Sequence, residues 1–183
     1  MPANKVEENK IEEKNLEVKQ EIQENVHIIK DTYLYYICES DDMQVHYSNN
    51  ERIIVTMTTW PKRIGNIPAV LTNILNNTML PYKIVINLAE EEFKNKEKDF
   101  PNNVNDFLNN HKDIIEVHWV KHNTKVWKKS IPTLLRYPND LIICIDDDFA
   151  YPTDFIKTFF DKHNNVPNKP LTGVIVKINE GKN

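Results

Sequence analysis

Glycine is nearly missing from this chain: Gly65, Gly173 and Gly181 are the three found in 183 residues. A dinucleotide-binding GxGxxG turn and a P-loop both need closely spaced glycines, so that backbone amides can approach phosphates. Scattered glycines exclude both, and a nucleotide bound here must be held by side chains and metal. Cysteine is equally sparse. Cys38 and Cys144 exclude a disulfide scaffold or a thiolate metal site. Cys144 lies in an apolar run, and both are expected as reduced core thiols. No apolar run approaches the roughly 20 residues of a membrane span, and the amino terminus is acidic where a signal peptide is basic then apolar. The expected location is cytoplasmic. Neither sign of charge dominates: 27 acidic and 23 basic residues leave a formal charge of -4. That balance gives no general pull towards nucleic acid, which is not an expected partner.

What is present divides the chain near residue 50. Residues 1–50 are expected as a charged helical extension and connector. Ile11, Val18, Ile22 and Ile29 fall on one stripe of a helix. Asn15 and Asn25 interrupt the seam, and it is short for a coiled coil. A loosely packed helix is expected ahead of a zipper, with self-association or a partner subunit through this stripe as the alternative. A strand follows over 33–38. From Arg52 the pattern becomes alternating strands and helices. Strands are predicted over 53–57, 83–88, 116–120, 141–145 and 171–178, and a helix over 67–75. A short helix is expected around Ile131, Leu134 and Leu135, and another, capped by Thr153, runs to about His163. This succession predicts an α/β fold with a Rossmann-like, mostly parallel sheet flanked by helices over 51–183.

The most informative junction is Asp-Leu-Ile-Ile-Cys-Ile-Asp-Asp-Asp at 140–148. Its aliphatic run predicts a strand buried on both faces. Asp146, Asp147 and Asp148 then lie at the carboxyl end of that strand, where open α/β sheets bind ligands. Two carboxylates about 6 Å apart at an effective dielectric near 20 repel by roughly 3 kcal/mol, so three together call for solvent or a cation. Alternation along an extended segment would turn Asp146 and Asp148 one way and Asp147 the other. Hard cations such as Mg²⁺ and Mn²⁺ take one or two such carboxylates plus phosphate and water oxygens. A solvated acidic turn is the plain alternative.

Two further loops should share that edge. Thr58-Thr59-Trp60-Pro61-Lys62-Arg63 follows the first strand; Trp60 can stack on a base and Arg63 can pair with a phosphate. Lys125-Val126-Trp127-Lys128-Lys129-Ser130 follows the third strand, and ammonium groups there would offset a diphosphate. The alternatives are a turn covering the sheet edge and an exposed helix start. The six histidines form no HExxH or similar ligand pattern; His122 is the one weak site candidate.

In combination these segments resemble the GT-A superfamily of nucleotide-sugar glycosyltransferases, and within it a bacterial group of family-2-like enzymes. The likeness is carried by Ile-Val-Thr-Met-Thr-Thr-Trp-Pro-Lys-Arg-Ile at 54–64, Trp-Lys-Lys-Ser-Ile-Pro-Thr-Leu at 127–134 and Asp-Asp-Asp-Phe-Ala-Tyr-Pro at 146–152. The resemblance implies that Asp146 and Asp148 end a DxD motif that holds Mn²⁺ or Mg²⁺, with Asp146 and Asp147 also at the donor. Thr58, Trp60 and Arg63 would line the nucleotide pocket, and Lys128 or Lys129 would approach the diphosphate. The donor would be a UDP- or GDP-sugar and the acceptor a saccharide or lipid-linked hydroxyl, the latter compatible with peripheral attachment at the inner face of a membrane.

An inverting transfer also needs a carboxylate base beside the acceptor. Asp154, Asp161 and Glu180 are the carboxylates after the triplet, and none sits in a base motif. The expectation is therefore a chain shortened at its carboxyl-terminal end, with a non-catalytic nucleotide-sugar-binding or assembly module as the alternative. A phosphatase with Asp146 as nucleophile and Asp148 as acid fits less well, because its strand normally opens the domain and Ala150 stands where Thr or Val would follow.

Overall fold

The structure is a computed structural model that describes residues 44–46, 48, 51–166 and 171. The helix expected within 1–30 and the strand over 33–38 lie outside the described residues, as does the strand over 171–178 apart from residue 171.

Four strands form one sheet: β1 (Ile53–Thr58), β2 (Lys83–Ala89), β3 (Ile115–Val120) and β4 (Leu141–Cys144). Their order is β3-β2-β1-β4, and every pairing is parallel. Helices connect them: α1 (Ile67–Leu75) joins β1 to β2, α2 (Asn102–Asn110) joins β2 to β3, α3 (Trp127–Arg136) joins β3 to β4, and α4 (Phe155–Asn165) follows β4. The chain thus builds outward from β1 to β3, then returns to the other side of β1.

That reversal sorts the helices between the faces. Ile67, Val70, Leu71 and Ile74 of α1, Val104 of α2 and Ile156 of α4 share one core with Val55, Met57, Ile84, Ile86, Leu88, Ile143 and Ile145. Val85, Ile54 and Tyr137 form a second, smaller cluster on the opposite face, where α3 packs. Crossovers of one hand that run in opposite directions must use opposite faces, and α1 and α2 differ from α3 in this way.

Local chemistry explains the elements. Pro68 falls in the first turn of α1, where its missing N–H is no loss. The helix Asn102–Asn110 has no counterpart among the sequence-based expectations: six of its nine residues are Asn or Asp, and only Val104, Phe107 and Leu108 carry the 3–4 spacing. Thr153 does not cap α4, whose N-cap position is Asp154 with no side-chain bond. Instead the buried side chain of Asn77 accepts from the Ile156 amide at 2.9 Å, so a residue far away in sequence satisfies that helix start.

β4 also corrects an expectation. Among the described residues it pairs with β1 alone, and its run is not fully buried: Ile143 and Ile145 enter the core, Leu141 and Ile142 are half-buried, and Cys144 is exposed. Cys144 is a surface thiol rather than a core one. Among the described residues no helix is long and apolar enough to cross a membrane.

Candidate functional site

The reversal of strand order opens a crevice between the carboxyl ends of β1 and β4, the place where doubly wound sheets bind ligands. A cleft of about 510 Å³ lies there. It is lined by Thr58, Thr59, Trp60 and Arg63 from the β1 loop, Glu92 from the β2 loop, Asn123, Lys125, Val126, Lys128 and Lys129 after β3, and Asp146, Asp147 and Asp148 after β4. All eight residues proposed from the sequence (Thr58, Trp60, Arg63, Lys128, Lys129, Asp146, Asp147 and Asp148) therefore line one cleft.

The β1 loop is folded back by a tight turn in which the Trp60 carbonyl accepts from the amides of Arg63 and Ile64 at 2.9 and 3.0 Å. Arg63 is thereby aimed at the triplet. Its Nη1 donates to Asp147 Oδ1 at 3.0 Å and to Asp148 Oδ2 at 2.8 Å, and these contacts raise the guanidinium's affinity for its proton, the Asp147 hydrogen bond foremost. Thr59 Oγ1 donates to Asp147 Oδ2 at 2.6 Å, and Asn66 Nδ2 reaches the Asp147 carbonyl at 3.2 Å. Asp147 is 7% exposed and ties the β1 and β4 loops together.

Asp146 and Asp148 differ from it in availability, with side chains 65% and 52% exposed. Asp146 accepts from Lys129 Nζ at 2.5 Å, and its amide donates to Tyr151 Oη at 2.7 Å. The expected alternation holds for burial, with Asp147 buried between the exposed Asp146 and Asp148, but not for the ion pairs. The strand ends at Cys144 and a turn follows, so Asp147 and Asp148 share Arg63 while Asp146 meets Lys129.

The two adjacent lysines take different roles. Lys128 is 3% exposed and its ammonium is committed to Glu92, with Asn123 Oδ1 at 3.1 Å. Lys129 is carried at the first turn of α3 by a buried polar network. Thr56 Oγ1 donates to the Lys129 carbonyl at 2.7 Å, Asn87 Nδ2 reaches the same carbonyl at 3.2 Å, and Thr133 Oγ1 lies 2.7 Å from Thr56 Oγ1 and 2.8 Å from Asn87 Nδ2. Thr58 Oγ1 is turned to the Asn87 carbonyl at 2.7 Å.

Sequence reasoning missed Glu91 and Glu92. Glu91 accepts from the Asn123 amide at 2.8 Å and pairs with His122 Nδ1 at 2.9 Å, which holds its carboxyl below the usual range and pins the β3 loop. His122, the weak candidate, is thus a loop-pinning partner outside the cleft lining. The signal was available: β2 ends at Ala89, so the acidic run after it must lie on the same edge as the other loops. Tyr151 and the Thr56–Asn87–Thr133 network carried no such signal, being single polar residues within or beside apolar runs. Trp60, 41% exposed, stands at the cleft wall with Lys62 Nζ 5.4 Å from its ring centroid.

The donor set suits a hard cation in part. Asp146 and Asp148 offer exposed carboxylate oxygens, yet among the described residues no group of three His, Cys, Asp or Glu side chains is placed to hold a metal ion. Two carboxylates completed by ligand and water oxygens match the coordination habit of Mg²⁺. Comparison with protein-family models, curated proteins and solved structures returned no match.

Proposed function

We propose that the cleft binds a nucleoside diphosphate sugar with a divalent metal, and that the chain is a DxD-containing glycosyltransferase of GT-A type, using a UDP- or GDP-sugar and a saccharide or lipid-linked hydroxyl acceptor. The observation that carries this reading is the convergence of three sequence-distant loops, Thr58–Arg63, Lys125–Lys129 and Asp146–Asp148, on one switch-point crevice. Asp146 and Asp148 are the residues to hold Mn²⁺ or Mg²⁺, whose Lewis acidity would stabilise a departing nucleoside diphosphate. Trp60 offers a stacking surface for the base, Arg63 and Lys129 offer cations to the phosphates, and Asp147 keeps the two loops in register. Lys128 acts through Glu92 on the cleft wall. Calorimetry of UDP and GDP with Mn²⁺ tests the site: binding is expected, and its loss in both Asp146→Ala and Asp148→Ala. Undiminished binding in both variants would remove these residues from the site.

A second reading, a nucleotide-sugar-binding module without turnover, is favoured by one observation. Each carboxylate in the cleft lining is paired with a cation, and neither Asp154 nor Asp161 lines the cleft; Asp161 pairs with Lys157 at 2.5 Å. No unpaired base is therefore presented there among the described residues. Nucleoside diphosphate release stimulated by an acceptor would exclude the module.

A further inference from the structure

The charges of the cleft are balanced before any ligand enters. Four cations, Arg63, Lys125, Lys128 and Lys129, face four carboxylates, Glu92, Asp146, Asp147 and Asp148. Lys128 is taken by Glu92, Lys129 by Asp146, and Arg63 spans Asp147 and Asp148. Lys125 lines the same cleft and makes no ion pair with the triplet among the described residues.

A divalent cation alone meets carboxylates that already hold an ammonium and a guanidinium. It can take Asp146 and Asp148 only by displacing those groups, which leaves Lys129 without its counter-charge and Arg63 with Asp147 alone beside a doubly charged ion. A diphosphate alone meets a cleft of no net charge in which Arg63, Lys128 and Lys129 are engaged. Both penalties vanish when the two arrive together, because the displaced cations acquire phosphate oxygens. The protein also offers no three-carboxylate cage among the described residues, so oxygens from the second ligand are needed to fill the metal's shell.

We propose that Arg63 and Lys129 are internal counter-ions that hold the place of the metal and then transfer to the diphosphate, making the two ligands mutually dependent. This rests on reading the cleft as a metal–diphosphate site. Lys129 yields Asp146 and Arg63 yields Asp148; the two carboxylates are the exposed members of the triplet. Arg63 keeps Asp147, which Thr59 and Asn66 hold in place. Coupling of this kind is reciprocal: each ligand raises affinity for the other by the same factor.

The test is calorimetry of Mn²⁺ alone, and of UDP and GDP with and without Mn²⁺, corrected for complexes formed without protein. The wild type is expected to bind Mn²⁺ alone weakly and to tighten about tenfold or more with nucleotide, within the usual range of coupling. Lys129→Ala, with Lys129→Gln as a milder form, should bind Mn²⁺ alone about tenfold more tightly while losing about tenfold in diphosphate affinity at saturating Mn²⁺. Lys125→Ala removes the same charge from the cleft without freeing a carboxylate, and should change Mn²⁺ affinity less than about threefold. Should wild type bind metal and nucleotide together while both Lys129 variants leave Mn²⁺ affinity unchanged or weaker, the counter-ion role is wrong and the site stands. The counter-ion role is equally wrong, with the site intact, if Lys125→Ala tightens Mn²⁺ as much as Lys129→Ala. Failure of the wild type to bind either nucleotide with Mn²⁺ would overturn the site and this inference together.

Discussion

Asp147 is the most constrained of the three aspartates and the least accessible to a ligand. Its two carboxylate oxygens are divided between Thr59 and Arg63, and its carbonyl is held by Asn66. A hydrogen bond to a charged, buried acceptor contributes about 1.5–3 kcal/mol, so Thr59→Val is expected to lower unfolding free energy by about that amount in urea titration. Equal stability of the variant would show that Asp147 does not pin the loops. Asp146→Ala and Asp148→Ala remove exposed ion pairs, which typically contribute about 0–1 kcal/mol, and should unfold near the wild-type midpoint while losing ligand. The division into one buried and two exposed carboxylates follows the alternation expected from the sequence; the sharing of Arg63 by Asp147 and Asp148 does not, because these residues lie in a turn past the end of β4.

The placement of Lys129 depends on how α3 sits on β1 and β2. Thr133 Oγ1 meets both Thr56 and Asn87 in a fully buried layer. Thr133→Val would leave those groups short of a partner at a cost of about 1–3 kcal/mol, and the displaced first turn should weaken diphosphate binding as well. A variant that loses neither stability nor affinity would contradict the positioning role.

β3 carries a pH dependence of its own. His118 is held below its ordinary value of 6.5, chiefly by burial. Glu116 is held well below 4.5, first by its hydrogen bond to His118 against the cost of burial, then by Lys83 and Tyr137. Both folded values are depressed, so the stability they contribute is whole above the ordinary values and is lost as pH falls. Melting temperature is expected to decline below about pH 6.5 and more steeply below about 4.5; His118→Gln should flatten the first decline and Glu116→Gln the second. A melting temperature constant from about pH 7 to about pH 5 in the wild type would contradict the His118 assignment. Elements with strong apolar periodicity, α1 and the four strands, were legible from the sequence nearly to their ends. α2 was not, because Asn and Asp predominate and tertiary packing of Val104 decides it.

At the scale of the molecule, the order β3-β2-β1-β4 explains why residues from four loops meet. All strands point their carboxyl ends to one edge, and the reversal beside β1 parts the loops enough to leave a cleft. The α/β alternation and that shared edge could be read from residue order, and so could the gathering of Thr58, Trp60, Arg63, Lys128, Lys129 and the aspartates there, while Glu92 and Asn123 of the same lining were not recognised. The internal ion pairing could not, because which cation meets which carboxylate depends on turn geometry and on the seating of α3. The central claim is that metal and nucleoside diphosphate occupy this cleft together. Paramagnetic broadening of backbone amide signals by Mn²⁺ with UDP or GDP, against a Mg²⁺ control, tests it most directly. The account predicts broadening centred on the cleft lining at Thr58–Arg63, Glu92, Asn123–Lys129 and Asp146–Asp148; broadening centred elsewhere, or none with either nucleotide, would contradict it.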